Sequence, residues 1–213
     1  AGSPIAAHRK TDFSARIQET ENLTVYGNVG NVSIDVNGGS SAKDVAASIT
    51  SRLSETGVSA TAQTRMNVSF EEEPSGTQTT DTVSFNVYGK NTAPVLISAN
   101  VTFGETNGRG ANLTDLAAAI NGTTGKTGIS ASLSIDKSTM TMISNDGYDI
   151  ATEDYRLVAV QGPAMLVSGA NEDNTSVTGT NSANVIFDAL KLEPGTDTST
   201  HPNSAQVSGQ VTF

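Results

Sequence analysis

Two histidines, a run of three glutamates and two oxygen-rich loops are the groups in this sequence that could do chemistry. His8 and His201 could act as a general base or as metal ligands, but either role needs a partner held in fixed geometry. Both stand in polar surroundings, beside Arg9 and Pro202, and neither belongs to an HExxH or HxH pattern, so both read as surface residues. Glu71, Glu72 and Glu73 could hold a hard cation. Consecutive residues at a strand end point to alternate faces, so the run reads instead as solvated charge. The loops SNDGYD (residues 144–149) and ANEDN (residues 170–174) lack the twelve-residue spacing and terminal glutamate of an EF-hand. Turn chemistry accounts for both. Asp146 and Asp149 could serve as the paired carboxylates of a glycosidase, yet nothing in the sequence sets two carboxylates around a cleft. The stretch GETNGRGAN (residues 104–112) puts glycines before a helix start, as a phosphate cradle does, but without GxxxxGK[ST] or GxGxxG. No catalytic, cofactor-binding or metal-binding residue is assigned. The expectation is a non-enzymatic protein with no cofactor.

Composition narrows the class further. Among 213 residues there are 22 acidic and 12 basic ones, giving a net charge of -10 and an isoelectric point near 4.5. Binding a phosphate backbone needs clustered Lys and Arg, so nucleic acid is not an expected partner, nor is an anionic membrane. There is no cysteine, which removes disulfides, thiolate nucleophiles and Cys-ligated metals. No apolar run approaches the roughly 20 residues of a membrane helix. The opening residues AGSPIAAHRK lack the layout of a signal peptide and do not begin with Met, so the sequence reads as an excised piece. Hydrophobic residues are 36% and aromatics 5%, which predicts thin cores built from Val, Ile, Leu and Ala.

The elements follow from periodicity. Residues 23–36 alternate around Gly27 and Gly30, which predicts a hairpin. Ser41 is a helix N-cap candidate with Asp44 three residues on, and Gly57 is the stop. Val45, Ile49 and Leu53 form an apolar stripe between them, with Ala46 beside it. Val58, Ala60 and Ala62 then alternate as a strand, which continues through Met66, Val68 and Phe70. Further strands are read at residues 82–90 and 93–103. Two more flank NDG, a type I′ hairpin signal. Others lie on both sides of Gly162–Pro163 and at residues 185–194 and 205–213. The helix-and-strand unit recurs. Asp115 stands 71 residues after Asp44, and at that offset Ala46, Ala47, Ile49, Thr56, Gly57, Ser59 and Ala60 meet identical residues. Leu116 and Ile120 repeat the stripe, and Ile129 and Ala131 repeat the inward positions of Val58 and Ala60. The repeated positions serve packing and turning, not reactivity. The expected fold is α+β, mainly antiparallel, with two short helices, one per repeated module. The expected organisation is a lead at 1–20, a two-repeat domain at 21–163 with repeats near 30–73 and 99–150, and a β-rich extension at 164–213.

The segment SAKDVAASITSRLSETGVSATAQTR resembles the inserted repeat of the central region of bacterial flagellins, through its Ser-Ala-x-Asp-Val-Ala-Ala start and its Thr-Gly-Val-x-Ala end. LTDLAAAINGTTGKTGISASLSIDKSTMTMISNDGYDI resembles the stretch that ends in SNDGYDI in such proteins, and DTVSFNVYGKN resembles the strand between the copies. The resemblance covers residues 25–150; the tail from 164 adds little. It implies a structural subunit exported by the flagellar apparatus to an extracellular filament. The helical terminal segments that build a filament core have no counterpart here, so the piece would be the variable outer D2/D3 region. Contacts with other subunits would run through those absent helices, and the piece itself would be monomeric. Exposure on the filament implies an antigenic surface that meets host or phage surfaces. The filament cap protein carries a similar repeat and is the rival reading, with an adhesin-type binding module behind it.

Overall fold

Alternating runs rich in Val, Ile and Thr, punctuated by glycine and asparagine, dictate a sheet protein. The computed structural model describes residues 20–71, 78–104, 110–158, 162–170, 190–192, 194 and 204–213. His8, His201, Glu72, Glu73 and residues 171–174 lie outside these. The first hairpin is as expected: β1 (Glu21–Tyr26) pairs antiparallel with β2 (Asn31–Val36). The Gly27 N–H donates to the Gly30 carbonyl at 2.9 Å to close it. Helix α1 (Ala42–Thr50) follows, capped by Ser41 in a reciprocal box with Asp44. Strand β3 (Thr61–Phe70), β4 (Thr79–Tyr88) and β5 (Val95–Phe103) lead to α3 (Thr114–Gly122). After it come β6 (Ser130–Leu133), β7 (Met140–Ser144), β8 (Ile150–Leu157) and β9 (Met165–Gly169), then β10 (Leu190–Leu192), β11 (Ala205–Val207) and β12 (Gln210–Thr212).

Two findings differ from the sequence reading. Each helix breaks and resumes as a single turn, α2 (Leu53–Thr56) after α1 and α4 (Thr124–Thr127) after α3. The break at Arg52, where φ is -102°, rotates the next turn out of phase. Leu53 therefore leaves the apolar stripe and is 46% exposed, while Thr56 turns inward and is fully buried. Val45 and Ile49 do pack inward. The strands flanking Asn145–Asp146–Gly147 are present but do not form a hairpin. The Gly147 N–H donates to the Ser144 carbonyl, closing a turn, yet neither Asn145 nor Asp146 has the positive φ that a type I′ turn requires. The chain leaves this turn for another sheet.

Three sheets result among the described residues. β1 and β2 form one. The second has the order β10-β9-β3-β7-β6, with β12 also on β3, and the third runs β11-β8-β4-β5. The last two share one core with α3. Met66, Val68, Phe70, Met140, Met142 and Met165 come from one sheet; Val83, Phe85, Val87, Ile97, Phe103 and Tyr155 come from the other; Leu116 and Ile120 come from the helix. Phe70 meets Phe103 edge-on, with ring centres 5.3 Å apart. A smaller core holds Val25, Ile34 and Ile49, with Val45, Val58, Ala60 and Val211 packed against it.

The two units repeat in their hydrogen bonds as well as in their residues. Gly57 (φ 76°) and Gly128 (φ 72°) both end their helical turns in the left-handed region, where a side chain is strained. Thr56 and Thr127 each accept from the N–H two residues on, Val58 at 3.1 Å and Ile129 at 3.2 Å. The Thr50 hydroxyl takes the N–H of Ala60 and returns a bond to its carbonyl. Asn121 does the same for Ala131 through its amide. Val25-Tyr26-Gly27 and Val87-Tyr88-Gly89 correspond in turn: a Cβ at Gly27 would lie 1.8 Å from the Thr56 carbonyl oxygen, and one at Gly89 would lie 2.2 Å from that of Thr127.

Candidate functional site

A concave feature of the described surface lies on the polar face of β3. Alternation sends Met66, Val68 and Phe70 to the core and Thr61, Gln63 and Arg65 outward. β12 runs alongside with Gln210 opposite Gln63 and Thr212 opposite Thr61. Asn145 from the turn after β7, with Ala170 and Ser208, completes a groove of about 290 Å³. The Gln63 amide donates to Asn145 Oδ1 at 2.8 Å, and Arg65 Nε donates to Gln63 Oε1 at 2.9 Å. The described lining is amide, hydroxyl, one guanidinium and the methyls of Ala62 and Ala170. Among the described residues it has no carboxylate, imidazole or thiol, so these side chains can hydrogen-bond a polar chain but do not pair a nucleophile with a base.

The oxygen-rich loop at 144–149 has a different task. The Gly147 carbonyl accepts the Lys43 N–H at 3.1 Å, which docks the loop on the first turn of α1. The Lys43 ammonium sits 4.8 Å from the centre of the Tyr148 ring. A Cβ on Gly147 would lie 2.3 Å from the Ala62 Cβ, so the close approach requires glycine there. Asp149 accepts from the Gln206 amide at 2.8 Å, while Asp146 is exposed. Gly147, Lys43 and Tyr148 thus make the joint between the first unit and this loop, and Asp149 is tied to β11 through Gln206. The described groove lining includes neither Asp146 nor Asp149.

Of the remaining candidates, Glu71 continues β3, with its N–H bonded to the Ala164 carbonyl. Gly104 and Gly110 flank residues outside the described set. Among the described residues no cluster of three His, Cys, Asp or Glu could hold a metal ion, and no helix is long and apolar enough to cross a membrane. One buried polar pair escaped sequence reasoning. The Tyr88 hydroxyl donates to Glu153 Oε2 at 2.6 Å, with both residues buried on the outer side of the β4–β8 ladder. The sequence signal was the repeated Val-Tyr-Gly, which marks Tyr88 as the counterpart of Tyr26.

No curated protein matches the chain. Residues 22–69, which run from β1 through α1 and α2 to the end of β3, match the flagellin hook IN motif, and this supports a flagellar structural protein.

Proposed function

We propose that the chain is the surface-exposed outer region of a flagellar filament subunit. It displays a polar, acidic, antigenic face on the organelle of motility and performs no catalysis. The observation that carries this reading is the flagellin hook IN motif at residues 22–69, together with the second unit that copies its hydrogen bonds. On this reading the second copy spans residues 99–150 within an outer domain at 21–163, and 164–213 extends it. The described groove residues supply hydrogen-bonding surface for a display role. Assembly runs through other parts of the subunit, outside this sequence.

The cap protein at the filament tip is the second reading, since it carries a similar repeat. Antibodies raised against the purified chain separate the two on intact flagella viewed by immunogold microscopy. Labelling along the whole filament is expected. Labelling confined to the tip would transfer the assignment to the cap, and cells whose flagella stay bare would overturn both.

A further inference from the structure

The two units differ in one respect that bears on partners. β4 is paired on both edges, by β5 on one side and β8 on the other, with Tyr88 opposite Ala151. Among the described residues its counterpart β1 pairs with β2 alone. Tyr88 is 5% exposed beneath this arrangement, whereas Tyr26 is 77% exposed. The second unit therefore shows what the corresponding edge of the first can accept: an antiparallel strand.

We propose that this strand is β1 of a second copy of the chain. In an antiparallel ladder the bonded pairs alternate. The bond from Gly27 to Gly30 sets Val25 and Leu23 as residues bonded to β2. The backbone groups of Asn22, Thr24 and Tyr26 then point to the open edge. Two copies related by a two-fold axis at Thr24 match Thr24 with Thr24 and Asn22 with Tyr26, so every outward N–H and carbonyl of the strand finds a partner. The same register keeps the faces aligned and sets Leu23 over Val25, extending the small core where Leu23 is left half-buried. Charge agrees as well. Glu21 is the one charged residue of β1, and this register carries it opposite Gly27, beyond the ladder. A molecule of net charge -10 thus meets its copy along a nearly neutral edge. A single six-residue pairing falls far short of the roughly 1,000 Å² of a stable interface, so the contact is weak and forms at high local concentration.

Sedimentation equilibrium from about 20 μM to about 2 mM tests this, in the concentration range of weak association. The average mass is expected to rise from 21.9 kDa toward the dimer over that range, with concentration-dependent NMR shifts at the Asn22, Thr24 and Tyr26 amides. Thr24→Lys sets two like charges across the two-fold axis at an exposed position and is expected to stay monomeric with an unchanged melting temperature. A wild-type mass fixed at the monomer, or a dimer that Thr24→Lys leaves intact, would overturn the proposal. A negative result here leaves the flagellar reading to its own labelling experiment.

Discussion

Ile49 and Leu53 stand four residues apart with similar side chains and opposite fates. Ile49 is 1% exposed in the small core, while Leu53 lies past the break at Arg52 and faces water. Ile49→Asp buries a carboxylate without a partner and is expected to cost more than about 3 kcal/mol, whereas Leu53→Asp should stay within about 0.5 kcal/mol. Urea titration of both variants checks this; equal losses would place the two residues in one environment. Asp136 shows a residue acting through its charge. The Ser134 hydroxyl donates to it at 2.6 Å, and the Ser138 N–H at 3.2 Å. These bonds hold its carboxyl below the ordinary carboxylate value. Because the folded value is depressed, the turn between β6 and β7 is supported at neutral pH. That support disappears as pH falls through the depressed value. The Ser138 amide shift is expected to titrate with a midpoint below about 4, the unperturbed aspartate range; a midpoint above it would contradict the bonding.

Elements owe their shape here to short side-chain bridges between helix and strand. Thr50 and Asn121 each occupy both backbone groups of the residue ten positions on, Ala60 and Ala131. Thr50→Ala and Asn121→Ala are each expected to cost about 1 kcal/mol, because a backbone N–H and carbonyl lose their partner. Thr50→Asn should retain most of the stability, since Asn already performs the task in the other unit. Thermal melting of the three variants checks the set, and an Asn swap as damaging as Ala would show that the bridge is not interchangeable. These elements were readable in the sequence because their signals are local: Ser41 with Asp44, the Gly57 stop, alternation around Gly27. Strand pairing was not readable. Alternation states which face of β3 is apolar but not that β7 and β9 flank it. The segment Asn145–Gly147 carries hairpin residues yet joins two different sheets. The groove was equally invisible, because Gln63, Asn145 and Gln210 are common residues brought together from distant parts of the chain.

At the scale of the molecule, the last described residues return to the first unit. β12 continues the β3 ladder at residues 61–63, and Val211 packs into the small core beneath β1, β2 and α1. β11 pairs with β8 in the other sheet. Gly209, between them, passes so close to the Gln63 carbonyl and Ala42 that a Cβ would lie 2.9 Å from each. The first unit thus borrows part of its core from the last residues, whereas α3 and its strands bury their apolar face within the large core. Removing residues 208–213 should therefore act unevenly. Amides of β2 and α1 are expected to lose more than about tenfold in hydrogen-exchange protection, while β4, β5 and α3 keep theirs. The small core has few buried side chains to spare, and losing Val211 opens it to water from the side that β12 covers. Exchange measured by mass spectrometry on the shortened and full chains decides the matter. A uniform loss across both units would mean that they unfold as one body, and no loss in the first would mean that Val211 contributes nothing to it.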